Sequence, residues 1–133
     1  SYAASDIVMT AGADSAINAL MDAVLGALAL GDIGKHFPDS DPAYKGADSM
    51  RLLDEVTRMM SQEGFSLGNA DVTIIAEKPK LAKFIPKMRE NLAGAFGCDV
   101  GCISVKATTE EGLGIAGKGI AAHAVVLLEK RGL

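Results

Sequence analysis

Cysteine is scarce in this sequence. Cys98 and Cys102 are the only two, too few for the disulfide framework of a small secreted domain and without the partners of a zinc-ligand spacing. Free thiols in a reducing, cytoplasmic setting are therefore expected. Positive charge is also short. The 13 Lys and Arg face 17 Asp and Glu, for a net charge of -4 and a pI near 5.1. No long-range positive field is left to draw nucleic acid or an anionic membrane surface, so neither is expected as a partner. Long apolar runs are missing as well. The longest, Ala16 to Gly31, is broken by Asn18 and Asp22 and falls short of the roughly 20 apolar residues that span a bilayer. Ser1 to Thr10 has neither the basic region nor the continuous apolar region of a secretory signal. No internal repeat, low-complexity tract or linker-like run divides the chain.

What remains is a chain of 133 residues, 49% hydrophobic, which predicts a single globular domain over 1–133. Between Asp14 and Leu30, Ile17, Leu20, Met21, Val24, Leu25 and Leu28 follow the three-then-four spacing of one buried helical face. Asp14 or Ser15 is the expected cap and Gly31 the expected stop. A second helix is predicted from Ser49 to Glu63, with Asp48 as cap, Leu52, Val56, Met59 and Met60 inward, and Gly64 ending it. Ala70 to Ala76 is short, apolar and rich in Val, Thr and Ile, which predicts a strand covered on both faces. A helix carrying Leu81, Phe84, Ile85, Met88, Leu92 and Phe96 follows, with a break or new first turn at Pro86, which has no amide to donate. Ile103 to Thr108 reads as a strand, and Ile120 to Lys130 as a long one, apolar on both faces. Alternating strands and helices give an α+β (α/β sandwich) class, a mixed sheet with helices packed on one face.

Polar chemistry gathers in three places. Asp32 to Pro42 holds three carboxylates, Lys35 and His36 in one loop; an ordinary surface loop with local Asx turns is the plain alternative. Lys78, Lys80, Lys83, Lys87 and Arg89 cluster where a strand passes into a helix, and a helix start adds amide donors that favour an anion such as phosphate. The plain alternative is a solvated basic face. Thr108, Thr109, Glu110 and Glu111 place hydroxyls and carboxylates at a strand end, suited to phosphate oxygens and to the divalent cation that accompanies a diphosphate. Asp14, Asn18 and Asp22 recur every four residues as one polar stripe, facing either solvent or a polar site. His123 lies within an apolar strand, which suits a packed or interface residue better than a catalyst.

Several stretches resemble, in the same order, the 2-C-methyl-D-erythritol 2,4-cyclodiphosphate synthase family from about Thr10 onward. They are Asp22 to Ala27 with Leu30 to Lys35, Phe37 to Pro42, Lys45 to Ser49, Asn69 to Ala76 and Val105 to Thr109. The resemblance implies a homotrimer with active sites between neighbouring copies, acting as a phosphorus–oxygen lyase of the non-mevalonate isoprenoid pathway. In that chemistry the 2-phosphate of a cytidine diphosphate-linked methylerythritol attacks the β-phosphate and CMP leaves. By resemblance Ala76, Pro79, Lys80, Leu81 and Ala82 cradle the nucleotide, a CMP or CDP group. Thr108, Thr109 and Glu110 meet the diphosphate, with Thr109 as the catalytic position, Glu111 at the magnesium or manganese, and Ile115 and Lys118 nearby. Asp32, Ile33, Gly34, Phe37, Pro38, Asp39, Ser40 and Asp41 line the methylerythritol end.

The departures from the family pattern cluster. The family binds zinc through an Asp-x-His pair and a histidine on the first helix; here no Asp-x-His occurs and Asn18 stands at the helix position. A neutral carboxamide is a poor zinc ligand, so zinc is not expected to bind. Thr10-Ala11 stands for a substrate-touching His-Ser, and Gly12-Ala13-Asp14 for Asp-Gly-Asp. Gly117-Lys118-Gly119 corresponds to a longer Arg-bearing glycine turn, and lysine keeps the charge but loses the bidentate fork. Ser1 to Met9 does not resemble the family's N-terminal strand and hairpin. This clustering suggests an inactive, engineered trimeric scaffold with a residual nucleotide pocket, the other reading being an active synthase whose further residues lie outside this sequence.

Overall fold

The computed structural model describes residues 11–37, 47–76, 81–108 and 120–132. The first helix, α1, spans Ala11–Ala27 and buries Ala13, Ala16, Ile17, Leu20, Met21, Val24 and Leu25, the face its spacing predicts. It begins three residues before Asp14, which therefore sits in the first turn, where a carboxylate favours the helix dipole, and does not cap it.

Nor does Gly31 stop α1. Leu30 N–H donates to Leu25 O at 2.9 Å and Ala29 N–H to Gly26 O at 3.0 Å, the paired closure that needs a left-handed residue between. That residue is Ala29, at φ 57°, whose Cβ makes the conformation unfavourable. Ala29→Gly is accordingly expected to stabilise the fold by about 1 kcal/mol. Chemical denaturation checks this, and an unchanged or lower midpoint contradicts it.

A single-turn helix, α2, covers Ile33–His36 inside the polar loop; Asp32 caps it by accepting from Lys35 N–H at 3.0 Å. Helix α3 spans Ala47–Gln62, so Asp48 lies inside its first turn. Its buried apolar side chains are Met50, Leu53, Val56 and Met60. Leu52 and Met59, seven residues apart, are instead half-buried on the flank of that face. Gly64, at φ 86°, separates α3 from strand β1.

Strand β1 runs Phe65–Ala76, five residues longer at its start than the composition of Ala70 to Ala76 suggests. The hidden part contains Gly68 and Asn69, poor strand formers, and is admitted by a register shift between Leu67 and Asn69. A Cβ at Gly68 would lie 3.0 Å from the Leu127 carbonyl oxygen, so a larger residue there would have to push the β3 backbone aside. Cover on both faces is not found. Val72, Ile74 and Ala76 are buried and alternate with half-buried Asp71, Thr73 and Ile75.

After a 3-10 turn at Ala82–Phe84, helix α4 spans Ile85–Phe96 with Pro86 in its first turn, where a missing amide costs nothing. Leu81 and Phe84 thus precede the α-helix. Strand β2 covers Ile103–Thr108 and β3 Ile120–Lys130. The three-stranded sheet has the order β2-β1-β3, with β1 parallel to β2 and antiparallel to β3. It is a mixed sheet, and α1, α3 and α4 pack with it around one core, an α+β arrangement.

Strand β3 is not covered on both sides. Ala124, Val126 and Leu128 pack towards the core, while Val125 and Leu127 are 72% and 60% exposed. His123 is exposed beside them, so in the single chain it is not a packed residue.

Candidate functional site

The parallel pair decides where the sequence-predicted site residues meet. In the β1–β2 register Ile75 lies opposite Thr108, so Ala76 and Thr108 share one carboxyl-terminal edge of the sheet. Ligands of α/β units collect outside this edge, because the crossover helix returns its N-terminus there. Here β1, α4 and β2 form that unit. Leu81 is buried at 5% exposure and Ala82 is exposed, and the turn they begin leads directly into α4. Ala76 points to the helical side and is buried, whereas Thr108 is exposed.

The cations divide by role. Lys83 lies over the Phe84 ring with its Nζ 5.1 Å from the centroid, close to the start of α4. Lys87 pairs with Glu90 at 3.6 Å, with both side chains about half exposed. Arg89 does not belong to an anion cluster. Its Nε donates to Ile103 O at 2.7 Å and its Nη2 to Val100 O at 3.1 Å, tying α4 to the root of β2.

On the outward sheet face Lys106 bonds both carboxylate oxygens of Asp71 at 2.7 and 2.8 Å. The bond from Lys106 holds the Asp71 carboxyl below its ordinary range.

The second group of predicted residues, Asp32, Ile33, Gly34 and Phe37, lies on and around α2. Ile33 and Phe37 pack against the core. Gly34 and Asp32 are exposed. One tie holds this segment to α1, from Ile33 N–H to Asp22 Oδ1 at 3.1 Å, and a second holds it to the turn after α1, where His36 Nε2 lies 2.6 Å from Leu30 O. The α2 segment packs against α1, and among the described residues no comparable contact joins it to β1, β2 or α4. Among the described residues the candidates therefore fall into two groups.

The polar stripe on α1 is not purely solvated. Asp14 Oδ1 accepts from the fully buried Ser49 hydroxyl at 3.2 Å, joining α1 to α3, and Asp22 holds α2. Asn18, between them, is half-buried. The role of Asp22 was hidden in the sequence because its partner lies eleven residues away, beyond any local capping pattern. Pro38, Asp39, Ser40, Asp41, Pro79, Lys80, Thr109, Glu110, Glu111, Ile115 and Lys118 lie outside the described residues. Among the described residues no three His, Cys, Asp or Glu side chains gather as a metal site, and no helix is long and apolar enough to cross a membrane.

The profile of the YgbB family matches residues 3–129 of this chain. The chain belongs to the YgbB family. The match starts ahead of Thr10, so family likeness reaches into the segment before α1 that the sequence motifs leave out. The 2-C-methyl-D-erythritol 2,4-cyclodiphosphate synthase of Trichlorobacter lovleyi is 61% identical over 118 residues, covering 87% of this chain and 75% of that protein. The enzyme of the same name from Geobacter metallireducens is 60% identical over 121 residues, covering 90% and 77%. Among solved structures, a 2C-methyl-D-erythritol-2,4-cyclodiphosphate synthase in a CDP-bound form superposes with a TM-score of 0.75 at 34% identity, covering 85% of this chain and 74% of that one. The bifunctional IspDF of Campylobacter jejuni superposes with a TM-score of 0.78 at 41% identity, covering 86% of this chain and 31% of its own length. YgbB relatives at this identity carry the synthase name, and the comparisons lend no support to an engineered origin or to lost activity.

Proposed function

We propose that this chain is a cyclodiphosphate synthase, taking a cytidine diphosphate-linked methylerythritol 2-phosphate and releasing CMP as the cyclodiphosphate closes. The observation that carries the reading is the shared edge of Ala76, Leu81, Ala82 and Thr108 at the carboxyl ends of the parallel strands, beside the start of α4. In this reading Ala76, Pro79, Lys80, Leu81 and Ala82 hold the nucleotide. Thr108, Thr109 and Glu110 receive the diphosphate oxygens, with Ile115 and Lys118 as further substrate-binding positions. Thr109 is the catalytic position, orienting the β-phosphate for in-line attack. A 2-phosphate oxygen forms a bond to the β-phosphorus as the bridging bond to the α-phosphate breaks, and CMP leaves with that electron pair. Glu111 would hold magnesium or manganese, which supplies neutralising charge to the diphosphate.

Asp32, Ile33, Gly34 and Phe37 to Asp41 take the methylerythritol end. Since α2 packs on α1 and away from the strand-end edge, the two groups are proposed to meet between copies, in a homotrimer. The exposed Val125 and Leu127 supply the apolar surface for that assembly. The likeness to a CDP-bound relative favours a nucleotide ligand.

A second reading, a nucleotide-binding protein without turnover, is favoured by Asn18. This carboxamide occupies the α1 position of a family zinc ligand by resemblance, and the described residues do not fit zinc.

Release of CMP from the substrate, measured with magnesium and zinc present and beside calorimetric titration with CDP, separates the readings. Release together with CDP binding is the expected result. CDP binding without release selects the second reading, and absence of both overturns the two together.

A further inference from the structure

Helix α2, which carries Ile33 and Gly34 of the methylerythritol end, has four residues, Ile33–His36. That is far below the roughly 12–15 residues at which a helix is even marginally stable alone, so its place depends on what fastens it. The chain leaves the end of α1 through Gly31, at φ 94°, a conformation that glycine takes without strain. A Cβ at Gly31 would lie 2.8 Å from Lys35 Cδ, so the Lys35 stem folds back over this turn. Ile33 and Phe37 add apolar contact with the core. Such contact is non-directional and leaves the roll of α2 about its own axis open.

Two directional bonds close that freedom, one at each end. Ile33 N–H, a first-turn amide for which the helix itself has no acceptor, donates to Asp22 Oδ1 at 3.1 Å. Asp32 takes Lys35 N–H at 3.0 Å, so a local carboxylate and a distant one divide the donors of the first turn. At the other end His36 Nε2 lies 2.6 Å from Leu30 O. A carbonyl oxygen only accepts, so Nε2 carries the hydrogen. Asp22 stands on α1, whose inner face is buried along its length, and α2 thereby takes its orientation from a rigid neighbour.

We propose that Asp22 and His36 are positioning residues for the methylerythritol end of the substrate, holding α2 so that Asp32, Ile33 and Gly34 present one fixed surface to the polyol. This inference rests on the synthase reading, in which that end carries the attacking 2-phosphate. Neither residue touches substrate; both act through α2. A roll of α2 would carry the attacking oxygen out of line with the β-phosphorus, and misalignment of that kind is costly for an in-line displacement. The nucleotide group would be left in place, because among the described residues α2 packs on α1 and makes no comparable contact with β1, β2 or α4.

The test compares the full chain with its Asp22→Ala, Asp22→Asn, His36→Ala and His36→Gln variants. It reads kcat/KM for CMP release, CDP affinity by titration calorimetry, and Tm; for a parent that binds substrate without turnover, substrate affinity by titration takes the place of kcat/KM. Each alanine variant is expected to lose about tenfold in kcat/KM, the scale of one hydrogen bond to a charged or well-aligned group. CDP affinity should stay within about twofold and Tm within about 2 °C. Asn keeps an acceptor and Gln a donor, so both amide variants should regain most of the loss. Alanine variants equal to the parent, amide variants no better than alanine, or CDP affinity and Tm falling in step with kcat/KM overturn the proposal. A parent that binds neither CDP nor substrate overturns the synthase reading and this inference with it, and is seen before any variant is compared.

Discussion

The double substitution Val125→Lys with Leu127→Lys is expected to turn an assembled protein into a folded monomer. Both side chains are largely exposed in the single chain, on an outward face where Val125 lies opposite Asp71 and Leu127 opposite Asn69. Two apolar side chains per copy, each worth about 1.5 kcal/mol when buried, contribute on the order of 10 kcal/mol to a trimer. Lysine removes that gain and adds the desolvation of an ammonium at each place. Within the single chain the same changes touch no core contact, and Lys at 125 faces a carboxylate, so its own stability should change by less than about 0.5 kcal/mol. Analytical ultracentrifugation with thermal melting reads both effects. A parent that sediments as a monomer, or a variant that stays assembled, defeats the proposed use of this face; a variant that fails to fold shows that the face belongs to the core.

The second large effect concerns Leu20, fully buried on α1. Leu20→Ala is expected to destabilise the chain by about 3 kcal/mol, the transfer term of the lost carbons plus the cost of a cavity that a packed core fills only in part. Against a usual total of about 5–15 kcal/mol this is a large share, and it corresponds to a fall in Tm of roughly 10 °C. Leu28→Ala, half-buried just beyond the same helix, is expected to cost less than a third of that. Equal losses at the two positions contradict the assignment of Leu20 to the centre of the core.

These effects also mark how far the sequence was legible. The buried face of α1 is written in its three-then-four spacing because a helix brings those residues to one side whatever lies opposite. The inward set of α3 was read in part, with Val56 and Met60 buried and Leu52 and Met59 half-buried beside them. Met50 and Leu53 define the face, but Leu52 and Met59 satisfy nearly the same spacing. The first half of β1 was unreadable because Gly68 and Asn69 oppose strand formation locally and are admitted only by the Leu127 backbone beside them. For the candidate site, the strand-end group around Ala76 and Thr108 needs β1 and β2 to be parallel neighbours, which neither strand encodes alone. Asp22 is a comparable case, an ordinary member of a polar stripe until the chain returns Ile33 N–H to it. Arg89 was grouped with nearby lysines by charge, and geometry then gave it to two carbonyls.

By itself, then, the sequence determined the family, the α+β class, the inward face of α1, the strand at Ile103 and the helix start at Pro86. All of these follow from local periodicity, backbone chemistry or recognisable motifs. Tertiary structure alone decided which face of β3 is left bare, which carboxylates are spent on holding helices together, and that the described candidate residues fall into two groups. Each depends on where the chain returns after a turn, and that is set by the packing of the whole core.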